Sequence, residues 1–352
     1  MDRAGNFYGT TLTGGEGQVG TVFKMTRRGS GWIFATLYSF HGPDGSNPQA
    51  RVIIGPDGSL YGTTTNGGSA NQGTVFRLQP PASFCRAVVC PWTETVVHSF
   101  QGGSDGRMPT FGDLTFDQAG NIYGTTPNGG ATTGCNGLGC GTVYKLTPSN
   151  GGWTESILYN CQPAGGPQVP YGGVIFDAAG NLYGASVAGG AAGGGAVFKL
   201  TPSAGGWTES VIYSFTDGAD GGNPYGGLII DQAGNLYGMT NLWGQGDGGT
   251  AYELTPSGGG WSFHLLYSFT AYVGSVAKLA MDPAGNLYGT LGDSDTQVFR
   301  LTPSNGGWTE TSFNGGLGAG LLGNVVLDAS GNIYTTAGGG VSGDGVVFEI
   351  TP

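Results

Sequence analysis

Apolar and polar residues alternate along most of this chain in short runs of five to nine residues, rich in Val, Ile, Tyr and Phe and separated by Gly, Asn, Asp and Pro. Alternation with a period of two predicts half-buried β-strands, and no stretch carries the 3.6-residue period of a helix. One unit shows the scheme: strand a over 227–231, strand b over 235–240, strand c over 249–254 and strand d over 261–269. Asp231-Gln-Ala-Gly-Asn235 makes a tight a–b hairpin, with an Asp able to cap its own turn and a Gly that tolerates positive φ. Thr201-Pro-Ser followed by Gly-Gly-Trp207 predicts that strand c ends at a Pro, which cannot donate to a ladder, and that strand d starts at the Trp.

The unit recurs. Seven copies of a signature of the form Gly-Asn-apolar-Tyr-Gly begin at Gly5, Gly58, Gly120, Gly180, Gly234, Gly285 and Gly331. A period of roughly 50 residues with only strand signals predicts propeller blades of four strands. The expected fold is therefore all-β: one seven-bladed β-propeller domain over residues 1–352, built of four-stranded antiparallel blades, with incomplete terminal blades. Strands b and c are read seven times but a and d six times, so either the ring closes with an imperfect terminal blade or, the favoured expectation, the chain is a piece of a longer precursor. Trp32, Trp92, Trp153, Trp207, Trp261 and Trp308 recur once per unit and are expected as wedges between neighbouring blades.

Gly226 to Gly238, the Thr-Thr that follows the signature in the first three copies, and the segments Gly73 to Leu78 and Gly141 to Leu146 resemble the bacterial GloVer tandem repeat. Strands a and b are also similar, more weakly, to NHL-type propellers and streptogramin lyases. The GloVer resemblance implies an exported protein, secreted or held at the cell surface, and supplies no catalytic residues.

Composition narrows the partners. Charged residues make up only 10% of the chain and the net charge is −11, without runs of like charge, so nucleic acid and anionic membranes are poor partners. No apolar run is long enough for a membrane span. A monomer is expected. Among five Cys, Cys85 and Cys90 share an enlarged c–d loop, and Cys135 and Cys140 share a b–c loop. Each pair fits a local disulfide, hence an extracellular or cell-surface location. Zinc is the rival reading, and Cys161 could pair with Cys135 or Cys140.

In a meander of this kind the b–c and d–a loops share one face, and these are the loops that vary, so a site is expected there. If strand a is innermost, Arg51, Asp113, Gly173, Gly227, Lys278 and Asn324 lie in one column at the mouth of a central channel, and Arg51, Asp113, Lys278 and Asn324 could bind a polar ligand or close on one another. Trp243 falls outside the repeated Trp position and has Asp247 nearby, a pairing used in sugar or peptide recognition, although a Trp there could also simply cover the rim of the disc. Asp44, Asn47, Asp217, Asp220 and Asn223 offer oxygens that could hold Ca²⁺, although all are also turn formers. No other cofactor is implied. His98 occupies the strand d slot filled elsewhere by Tyr38, Tyr159, Tyr213 and Tyr267, which reads as a structural replacement. With no nucleophile elbow, HExxH or phosphate loop, no catalytic residue is assigned. The leading expectation is a module that binds extracellular glycan or protein. The alternatives are a metal-assisted lyase or lactonase at the channel mouth, and a passive structural surface protein.

Overall fold

Each blade grows from one carboxylate. In the fifth, the N–H groups of Ala233 and Asn235 donate to Asp231 Oδ1 at 2.9 Å, while Asn235 Nδ2 (2.9 Å) and Tyr237 Oη (3.1 Å) donate to Oδ2. Asp2, Asp117, Asp177, Asp282 and Asp328 organise their hairpins through the same four bonds. The second copy has Gly55 in the Asp position, and Asp57 replaces it from two residues on, bonding Ser59, Tyr61 and Arg77. The Asp-x-x-Gly-Asn-x-Tyr pattern is thus a self-contained hydrogen-bonded turn that holds strands a and b in register.

The structure is a computed structural model of the chain, and it describes residues 1–81, 91–130, 135–163, 165–270, 277–292, 297–313, 323–338 and 345–352. It divides into two compact units, Met1–Cys161 and Gln162–Pro352. The fold class is an all-β, seven-bladed β-propeller: five antiparallel sheets follow the order a-b-c-d, the first sheet has strands b, c and d, and the last has a, b and c. Among the described residues there is no α-helix, and so none long and apolar enough to cross a membrane.

Three blades lie in the first unit. They pack through strand b, which is buried along its whole length in Leu60–Thr64 and Ile122–Thr126. Phe40 at the end of the first blade meets Phe76 of the second at 5.0 Å, and Phe100 meets Tyr144 of the third at 5.2 Å. The second unit repeats these contacts with Phe215 on Tyr252 and Phe269 on Phe299, both at 5.0 Å. Apolar clusters within each unit therefore run from blade to blade, one of them joining Tyr183, Val197 and Phe215 to Leu236, Tyr252 and Leu254. Three of the six repeated Trp act as expected: Trp92 packs on Tyr8 (6.3 Å), Trp153 on Tyr61 (6.3 Å) and Trp261 on Tyr183 (5.7 Å), each reaching into the preceding blade, whereas Trp32 packs on Phe7 of its own blade at 5.3 Å.

Two sequence expectations need correction. Strand a is short, only Ile229–Ile230 in the fifth blade. Strand c does not end at its Pro: Thr250–Ser257 runs through Pro256, which stands opposite Trp261 of strand d, Gly260–Ser268. Pairing with strand b stops at Leu254, so Pro256 lies on a free edge where its missing N–H removes no ladder bond.

Candidate functional site

The b–c and d–a loops interlock through backbone bridges. Ser46 pairs with Asn66, Arg107 with Asn128, and Gly222 with Leu242, in each case joining a d–a loop to the b–c loop of the blade it leads into. In the fourth blade this contact is a ribbon, Pro167–Gln168 with Ala188–Gly189. Close approach demands glycine here: a Cβ on Gly73 (φ 97°) would lie 2.5 Å from the Thr64 carbonyl oxygen and 2.7 Å from Pro109 Cδ. The loops expected to carry a site are therefore a braced surface within each unit.

Arg51 and Asp113 meet in the first unit, with Arg51 Nε 2.8 Å from Asp113 Oδ2. Asp113 is almost wholly buried, and its Oδ1 has no hydrogen-bond partner. Within the second unit, the members of this column touch their neighbours. Gly227 lies against the Gly172 carbonyl and the Lys278 side chain, and the Lys278 N–H donates to Asn324 Oδ1 at 2.6 Å. Pairing between column members is thus the arrangement present. Tyr171 and Tyr225, two residues before this column in the fourth and fifth blades, stack at 5.0 Å. Sequence reading passed over them, although the repeated Pro-Tyr-Gly-Gly was visible.

Trp243 stands apart from the six wedge tryptophans. It is 45% exposed, and its backbone (φ 66°) is tied by a bridge to Gly248 and by the Gly249 N–H bonding its carbonyl at 2.8 Å. Asp247 is exposed in the same loop with φ 58°. The oxygens considered for Ca²⁺ have local roles. Asp44 accepts from Tyr38 Oη (2.6 Å) and the His41 N–H (2.8 Å), and Asp220 from Tyr213 Oη (3.0 Å) and Thr216. Asn47 Oδ1 accepts from Asn66, Asn223 holds a φ of 54°, and Asp217 lies beside Gly194 and Gly222.

Cys135 and Cys140 form a disulfide across the b–c loop of the third blade, and Cys161 is a buried thiol outside it. Cys85 and Cys90 lie outside the described residues.

One cluster joins residues that sequence reading kept separate. His98 lies on strand d of the second blade (Thr93–Ser99), Asp105 in the following d–a loop, and Glu155 on strand d of the third blade (Gly152–Asn160). His98 Nε2 is 3.0 Å from Asp105 Oδ1 and 3.7 Å from Glu155 Oε1. Burial, then the hydrogen bond and negative charge of Asp105, push the Glu155 carboxyl up. Burial alone would raise Asp105 too, but hydrogen bonds from His98, Glu155 and the Gln101 backbone hold it low. No contiguous motif marks this cluster: Glu155 takes the same place in its blade, opposite Leu146, as Glu94 does opposite Leu78, and it is the approach of neighbouring blades that brings it to His98.

Residues 1–136 and 88–297 match the family model described as the Gloeobacter/Verrucomicrobia repeat. No curated protein matches the chain. Among solved structures it is similar to a candidate 6-phosphogluconolactonase from Bacteroides fragilis NCTC 9343, with TM-score 0.63 and 14% identity over 98% of this chain and 93% of that one. Another, from Bacteroides uniformis ATCC 8492, has TM-score 0.63 and 14% identity over 98% and 92%. A candidate oxidoreductase (glucose dehydrogenase) from Thermus thermophilus has TM-score 0.51 and 16% identity over 86% and 96%. Identities this low show a shared fold.

Proposed function

The chain belongs to the Gloeobacter/Verrucomicrobia repeat family, and from that premise we propose that it is an exported binding module that takes an extracellular glycan on its b–c and d–a loops. The observation that carries this reading is Trp243. Six tryptophans recur at the strand d position, while the seventh is held open on a braced loop beside an exposed carboxylate. A fixed indole face offers apolar area at little entropic cost, and Asp247 adds a hydrogen-bond acceptor for hydroxyls. The Cys135–Cys140 disulfide supports an oxidising location. Arg51 and Asp113 in the first unit, and Lys278 and Asn324 in the second, belong to the same reading as further polar positions, and a ligand engages the first two only by opening the Arg51–Asp113 pair. The oxygens of Asp44, Asn47, Asp217, Asp220 and Asn223 would let Ca²⁺ assist. The lactonase and dehydrogenase names stay with the proteins that bear them.

Capture of soluble polysaccharides by the oxidised chain, with and without Ca²⁺, tests the proposal. Trp243→Ala should weaken capture by about tenfold or more, equivalent to roughly 1.4 kcal/mol, with the melting temperature unchanged. An Arg51→Ala, Asp113→Ala pair reports separately on the column. Capture that survives both sets of changes defeats the site assignment, and no capture of any polysaccharide defeats the glycan reading and would favour a protein partner.

A further inference from the structure

We propose that His98, Asp105 and Glu155 form a transition-metal site of the Zn²⁺ class that clamps the second blade to the third. The three ligand atoms lie within 4.8 Å of one another. Zn²⁺ in tetrahedral coordination bonds N and O at about 2.0–2.2 Å, which sets its ligand atoms about 3.3–3.5 Å apart. The 3.0 and 3.7 Å separations at His98 Nε2 bracket that spacing, and the Asp105 and Glu155 oxygens lie within 4.8 Å of each other, so modest side-chain shifts would admit the ion. One imidazole and two carboxylates suit Zn²⁺, whereas Ca²⁺ takes six to eight oxygens.

The repeat supplies a second, independent argument. In the first and fourth blades this strand d position is a Tyr whose hydroxyl donates to the loop Asp, Tyr38 to Asp44 and Tyr213 to Asp220. Facing this position from the following blade stand Glu94 beside Tyr38 and Asp44, Phe263 stacked on Tyr213 at 4.6 Å, and Glu310 bonded to Tyr267. The phenol in this position spends its one proton on the loop Asp. His98 combines an imidazole with both an Asp and a Glu, and the Glu155 Oε1 is buried without a hydrogen-bond partner. Side-chain exposures of 20%, 16% and 15% for His98, Asp105 and Glu155 leave a path for an ion while keeping bulk water largely away. Three protein ligands leave the fourth position for a water molecule.

The test uses the full oxidised chain, stripped with a chelator, returned to chelator-free buffer and titrated near neutral pH with ZnCl₂ by calorimetry and with Co²⁺ by visible absorption. One equivalent of each should bind, with the d–d absorption of four-coordinate Co²⁺. His98→Tyr restores the residue found at positions 38, 213 and 267, so it should fold with a near-native melting temperature when metal-free. It should also lose the Co²⁺ absorption and weaken Zn²⁺ binding by about 100-fold or more. Glu155→Gln should weaken binding as well, whereas His41→Ala should leave it unchanged. Substoichiometric binding by the native chain, or equal binding by a folded His98→Tyr chain, overturns the proposal.

Discussion

Val169 has a φ of 59° immediately before Pro170. The equivalent residues Asn47, Met108 and Asn223, before Pro48, Pro109 and Pro224, have φ of 55°, 56° and 54°. The fold therefore requires a left-handed residue here, which Asn tolerates and a β-branched side chain does not. Val169→Asn should stabilise the chain by about 1 kcal/mol, read as a rise of about 2 °C in melting temperature. A fall would mean that the half-buried Val side chain contributes more through packing than its backbone costs. The same loops show what single residues reveal in a sequence. Asn47 and Asn223 were legible as special positions, and the oxygen-donor reading and the φ reading arise from one side chain that serves both. The Arg51–Asp113 pair was legible because a column that varies inside a fixed repeat stands out. The His98 cluster was not, since its members come from three elements of two blades and only the packing of one blade on the next brings them together.

At the scale of the element, the blade is a meander whose hairpins are fixed locally and whose strands are fixed by their neighbours. The Asp-centred a–b turn is written almost entirely in contiguous sequence, which is why seven copies could be placed without a structure. Strand ends were less legible. Ladder length depends on which strand lies alongside, and Pro256 is tolerated because strand b reaches no further than Leu236, the partner of Leu254. Strand d is anchored at its start by the Trp that crosses to the preceding blade. Trp261, half-buried against Tyr183, should cost about 2–3 kcal/mol when changed to Ala, less than a fully buried Trp because part of the ring already faces water. Chemical denaturation at constant m-value measures it. A cost below about 0.5 kcal/mol would remove the wedge role.

At the scale of the whole molecule, the seven hairpin carboxylates and two half-buried glutamates give stability a shape in pH that composition alone does not. At each of Asp2, Asp57, Asp117, Asp177, Asp231, Asp282 and Asp328, burial works to raise the pKa. Hydrogen bonds from the turn and its Tyr outweigh it and hold the group below the usual carboxylate range. The unfolded chain therefore takes up protons first, near the ordinary Asp value of about 3.9. The stability from these groups is present above that pH and is lost as pH falls toward the folded values. Glu94 has the opposite sign. Burial and the charge of Asp44 push it up to about 7, so between the ordinary Glu value of about 4.3 and that pH the folded chain holds the extra proton, and stability falls as pH rises. Glu155 is raised for the same kind of reason. The net charge of −11 acts in the same direction, because self-repulsion eases as the chain approaches its isoelectric point. Urea unfolding of the dilute, metal-free chain should therefore show greatest stability near pH 5, with lower values at both pH 3 and pH 8. Glu94→Gln should raise stability at pH 8 by about 1 kcal/mol, a figure reduced for the partial exposure of this side chain, and should flatten the limb above pH 5 while leaving the acid limb in place. A steady rise in stability from pH 3 to pH 8, unchanged by Glu94→Gln, would show that burial of Glu94 between the first two blades does not set its charge state.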